Sequence, residues 1–92
     1  MPARDPLAPI GYSVVLLADG LLHVRVVVGD TFVYADTIND SAEARAGLVR
    51  DFLELRPDLR EHEERLVQIL TVRCGVERAY AEAQALRGEV AP

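Results

Sequence analysis

The chain has 92 residues, 50% of them hydrophobic and 27% charged, which leaves room for one domain with one modest core and excludes the disordered class. Its formal charge is −5 and all ten basic residues are Arg, a balance that argues against a free-standing non-specific DNA or RNA binder. Cys74 is the only cysteine, so an intramolecular disulfide and a secreted, disulfide-stapled mini-domain are excluded.

Residues 1–11 carry Pro2, Pro6, Pro9 and Gly11 among few anchors and are expected to form an extended, flexible lead-in. The run Tyr12 to Leu17 and the run Leu22 to Val28 are rich in β-branched residues, and Ala18-Asp19-Gly20-Leu21 between them predicts a hairpin. In the second run Leu22, Val24, Val26 and Val28 alternate with His23, Arg25 and Val27, the pattern of one apolar and one wetter face. Gly29-Asp30 predicts the next tight turn, and Thr31 to Thr37 returns as a third strand with Phe32, Tyr34 and Asp36 on one side.

Asn39, Asp40 and Ser41 offer N-cap candidates, and Asp40 with Glu43 has the spacing of a capping-box variant. The helix that follows should bury Leu48, Val49, Phe52, Leu53 and Leu55, and Pro57 should end it. Asp58 can cap a second helix from Leu59 to about Arg87, with Gly75 as its weak point and a fraying end. The fold class is therefore α+β: a three-stranded antiparallel meander followed by two helices, βββαα, the last helix long, in a single domain over residues 12–88.

No pattern in the chain assembles a catalytic or metal-binding constellation, and no enzyme activity, cofactor or metal is expected. His62-Glu63-Glu64 lacks the second imidazole of HExxH because position 66 is Leu, and Glu61 with Arg65 fits a solvated, ion-paired helix face. His23 reads as a lone exposed histidine, and Cys74 as a buried thiol without a base. Asp36, Asn39 and Asp40 form an acidic corner that turn and cap roles already explain, and Gly29-Asp30-Thr31 lacks the partner glycines and Lys of a phosphate loop. The start of the chain has no signal-peptide pattern and no stretch approaches a membrane span, so a soluble, cytoplasmic protein with no membrane contact is expected.

The candidate functional residues lie in the last helix. Ile69, Val72, Val76, Ala79, Ala83 and Leu86 recur at alternating spacings of three and four, which is an a/d seam. The simpler placement for this seam is inside, against the sheet and the first helix. Leu66, Leu70 and Cys74 add a second apolar row, more than one small sheet needs, so self-association or docking on another protein is the sharper expectation.

The segment Tyr34-Ala35-Asp36-Thr37-Ile38-Asn39, followed by Ala42, Ala44-Arg45, Arg50, Phe52 and Leu53, resembles a small sheet-to-helix segment of phage and plasmid primase-helicase and AAA-type replication helicase proteins. The likeness covers roughly Leu22 to Leu70. The chain has no Walker motif, primase acidic cluster or zinc ribbon, so the resemblance implies an accessory, non-catalytic domain that positions or oligomerises a replication enzyme. It transfers no catalytic residue.

Three function classes follow. The first is a protein-interaction or oligomerisation module, associated with phage or plasmid DNA replication and binding a protein partner or itself as a homodimer through the last helix. The second is a stand-alone acidic regulator or inhibitor of phage type that binds a basic host partner. The third, a nucleic-acid binder using Arg25, Arg45, Arg50, Arg56, Arg60, Arg65 and Arg73, is disfavoured because those arginines are dispersed among acids.

Overall fold

The structure is a computed structural model that describes residues 5–90, with side chains described from 5 to 88. Three strands, β1 (Ile10–Leu16), β2 (Leu22–Val28) and β3 (Thr31–Ile38), form one antiparallel sheet in the order β1-β2-β3. Two helices follow, α1 (Ala42–Leu55) and α2 (Glu63–Val90), joined by a 3₁₀ segment at Pro57–His62.

Both strand connections depend on glycine. Gly20 has φ +88° and Gly29 has φ +62°, left-handed conformations that a Cβ disfavours. In the first turn Leu17 N–H donates to Leu21 O at 2.8 Å and Gly20 N–H to Leu17 O at 3.0 Å, while Asp19 Oδ1 accepts from Leu21 N–H at 3.1 Å. In the second, Gly29 N–H donates at 2.7 Å to the carbonyl of Pro9 across the sheet.

Facing residues of an antiparallel pair share a side of the sheet. Tyr12, Val14 and Leu16 of β1 face Val26, Val24 and Leu22 of β2, which in turn face Tyr34, Asp36 and Ile38 of β3. This side covers the core, where Leu22, Val24 and Val26 are fully enclosed. A bulge between Val26 and Val27 inserts Val33 as the extra residue, so Phe32 pairs with Val27 and not with the core side. The alternation expected to keep Phe32 beside Tyr34 and Asp36 is thus broken, and Phe32 is exposed on the open side with the Arg25 guanidinium 5.0 Å above its ring.

Ser41 is the N-cap of α1: its Oγ accepts from Ala44 N–H at 3.1 Å and its hydroxyl donates to Asn39 Oδ1 at 2.7 Å. Asp40 does not cap, because its carboxylate is held by Arg45 and Arg78. Leu48, Val49, Phe52 and Leu53 are buried as their spacing requires, whereas Leu55 is exposed on the far side of the last turn.

Pro57 ends α1 and opens the 3₁₀ segment, within which Leu59 is buried. The α-helical start expected at Leu59 is displaced to Glu63, and Asp58 is not its cap but the bidentate partner of Arg56 at 3.0 and 2.9 Å. From there α2 runs unbroken through Gly75 to Val90. The weak point at Gly75 does not interrupt it: one glycine costs about 1 kcal/mol of helix propensity, which 28 cooperative helical residues absorb.

The extended, flexible lead-in expected over residues 1–11 does not hold for residues 5–11. From Asp5 onward the segment is tied down: Leu7 is buried in the core, its N–H donates to Asp5 Oδ1 at 3.0 Å, and Asp5 binds Arg65 through two contacts of 2.9 and 2.6 Å. Residues 1–4 lie outside the described part.

Candidate functional site

The core fixes which face of α2 is used up inside the chain. Leu66, Leu70 and Cys74 are enclosed, and the helix packs on α1 and β1. Tyr12 of β1 donates its phenolic hydrogen to the Leu66 carbonyl at 3.0 Å, and burial pushes that phenol well above its ordinary value. Arg73 reaches the Tyr12 carbonyl at 3.5 Å, and Arg45 of α1 donates to Thr71 Oγ1 at 3.2 Å.

At 100° per residue, the seam from Ile69 to Leu86 is centred roughly 150° around the helix from the buried row. The structure places it accordingly. Ile69 is half-buried, while Val72 is 65% exposed, Val76 53% and Leu86 62%, with Ala79 and Ala83 also exposed. The simpler sequence expectation, a seam buried against the sheet and α1, is therefore corrected. The reason is geometric: where α2 lies on the sheet and α1 it encloses one stripe, that of Leu66, Leu70 and Cys74, and past Cys74 the helix runs beyond the body, where neither row has anything to pack against.

Past Cys74 no described side chain of α2 is buried, and only Glu77 and Ala81 are half-buried. The distal half of the helix thus projects from the body. The Cα radius of gyration, 15.1 Å, reflects this, since a compact chain of this length has a value of about 12 Å. A shallow depression of about 320 Å³, lined by Gln68, Ile69, Val72 and Arg73, sits where the seam meets the body.

Tyr80, which the a/d spacing of the seam passes over, is 60% exposed and belongs to the same surface. The signal was present, because Tyr80 lies four residues after Val76 and three before Ala83. A tyrosine with a wet ring beside exposed valines adds the kind of aromatic contact area enriched at protein interfaces.

The remaining candidate groups have local partners. His23 Nδ1 is 3.1 Å from Thr37 Oγ1 on the open sheet side, and His62 Nε2 is 3.4 Å from Glu61. Arg65 does not pair with Glu61 along the helix, because Asp5 takes both of its terminal nitrogens. In the acidic corner Asp36 Oδ1 accepts from Thr37 N–H at 2.8 Å, while Asn39 and Asp40 are bound to Ser41 and to arginines. Among the described residues no three His, Cys, Asp or Glu side chains stand close enough to share a metal ion. Burial pushes the Cys74 thiol up, which disfavours the thiolate, the nucleophilic form.

Among the described residues no helix is long and apolar enough to cross a membrane. Comparison with protein-family models, with curated proteins and with solved structures finds no match. The exposed seam of α2 is therefore the feature from which a function must be argued.

Proposed function

We propose that this chain is a non-catalytic oligomerisation and protein-association module whose contact surface is the outward seam of α2. The carrying observation is a division of labour within one helix: Leu66, Leu70 and Cys74 serve the core, while Val72, Val76 and Tyr80, at spacings of four, and Leu86, three beyond the exposed Ala83, are left in water. Isolated exposed hydrophobics need no explanation, but a contiguous row on a projecting helix is the signature of a surface that becomes buried in an assembly.

The likeness of residues 22–70 to accessory segments of phage and plasmid replication proteins supports a narrower version, in which the module positions or oligomerises a replication enzyme. In this chain Ile38, Phe52 and Leu53 of that segment pack in the core, and Asn39 accepts a hydrogen bond from the N-cap Ser41, so the segment contributes the body from which α2 projects. The formal charge of −5 supports a second reading, an acidic regulator that docks on a basic protein, for which binding would weaken as salt is added.

The test is the solution mass over a concentration series for the wild type and Val76→Asp. Val76 is 53% exposed and outside the core, so the substitution changes the surface and spares the fold. Mass that rises with concentration in the wild type and stays monomeric in the variant supports the reading. A wild type that remains monomeric throughout contradicts self-assembly.

A further inference from the structure

The seam is flanked by charge and by shape in a way that selects its occupant. With Ile69, Val76 and Ala83 at heptad position a and Val72, Ala79 and Leu86 at d, position e is Arg73, Tyr80 and Arg87, and position g is Gln68, Gly75 and Glu82. The buried residues Leu70 and Cys74 fall at b and f, on the side away from the seam, so two copies joined along it keep their bodies on opposite outer sides.

Resting on the association reading, we infer that the occupant of the seam is a second copy of this chain, lying parallel and in register. In a parallel pair each g position faces the e position five residues further along the other helix. Glu82 then meets Arg87 of the second copy, and the symmetry repeats the pair. Both side chains are exposed, and among the described residues neither has an ion-pair partner within the chain. An antiparallel pair instead brings e against e and g against g, which sets Arg73 beside Arg87 and leaves Glu82 without a basic neighbour.

Gly75 gives a second, independent argument. A Cβ built there meets nothing within 4 Å among the described residues and its φ is not in the left-handed region, so nothing among them requires glycine in mid-helix. The residue facing it across a parallel seam is Tyr80 of the second copy, five positions on. The bare backbone at Gly75 leaves room for that ring, which is 60% exposed in the single chain. In this arrangement a large side chain fills the space that a missing one leaves.

Leu86→Cys tests the geometry, because residue 86 is exposed and at a d position. In the parallel pair the two copies of residue 86 lie opposite each other within disulfide reach, whereas an antiparallel pair centred on the seam separates them by roughly 25 Å. The variant is oxidised with glutathione disulfide and run on a non-reducing gel beside the wild type, whose Cys74 is buried, with the mass of both measured by light scattering. The expected result is a dimer that cross-links through residue 86 in the variant alone. A dimer that does not cross-link overturns the parallel arrangement and leaves self-association standing, and a monomer at every concentration overturns both. In a second pair of variants, Glu82→Arg should weaken dimerisation at least several-fold and Glu82→Arg with Arg87→Glu should restore it. Failure of the double exchange to restore it contradicts the proposed pairing.

Discussion

Asp40, in the turn before α1, binds Arg78 of α2 across 2.6 Å while its other oxygen holds Arg45 of α1. Arg78 is the most distal α2 side chain, among those described, with an ion pair or side-chain hydrogen bond to the body. One carboxylate therefore marks the point where the packed part of the helix ends and the projecting part begins.

Replacing Asp40 by Ala should cost about 2 kcal/mol, in the range for a hydrogen bond to a charged group, because Arg78 loses its carboxylate and Arg45 keeps only Thr71. Amide hydrogen exchange around Arg78 should quicken more than exchange around Leu66. Equal protection in variant and wild type would show that Asp40 does not anchor the helix.

Tyr12 and Cys74 should make stability fall in alkali. Burial raises both pKa values in the folded chain above the ordinary 10.0 of Tyr and 9.0 of Cys. The unfolded chain therefore releases these protons first, so the stabilising contribution is complete below those values and is lost as pH climbs past them. Tyr34 is raised in the same direction, by desolvation and by the nearby Asp51 carboxylate. Urea unfolding from pH 8 to 11 should show declining stability. Tyr12→Phe should reduce the decline, and at neutral pH it should cost about 1 kcal/mol for the hydrogen bond to Leu66.

Leu7 shows that the start of the domain is part of the core. Leu7→Ala should destabilise by about 2 to 3 kcal/mol, as truncation of an enclosed leucine does. Acid should loosen the same segment, because Arg65 holds the Asp5 carboxyl below its ordinary value and that contribution is lost as pH falls through the folded pKa. A Leu7→Ala protein with unchanged urea midpoint would place this segment outside the cooperative unit.

Much of this architecture is legible in the residues. Asp19-Gly20 and Gly29-Asp30 specify their turns because glycine accepts the positive φ found there without the steric cost of a Cβ, and Leu22, Val24 and Val26 alternate on the period of a strand with one buried face. Three features are not legible for physical reasons. The bulge at Val33 turns Phe32 outward without any Gly or Pro to mark it, because a bulge is set by pairing with β2 and not by local propensity. Leu7 is fixed by long-range contacts, including Asp5 with Arg65, that proline-rich composition hides. On α2 the sequence displays two apolar rows, and only the size of the sheet decides that the row from Leu66 to Cys74 goes inside while the seam stays out.

Ser41→Ala should lower stability by about 1 kcal/mol, since it removes the acceptor for Ala44 N–H at the start of α1. Asp40→Asn in the same assay separates capping from ion pairing, because Asp40 makes no cap contact. If Ser41→Ala were neutral and a Glu43 substitution destabilising, the cap would belong to the Asp40 and Glu43 pair after all.

If the outward seam of α2, and not the open side of the sheet, joins two copies of the chain, a charge placed on each surface in turn distinguishes the two. Sedimentation equilibrium of the wild type, Val76→Asp and Val15→Asp tests it most directly, since Val76 on the seam is 53% exposed and Val15 on the sheet 49%. An interface on the seam gives dimers for the wild type and Val15→Asp and a monomer for Val76→Asp. Dissociation by Val15→Asp with Val76→Asp still dimeric, or a monomeric wild type, would contradict it.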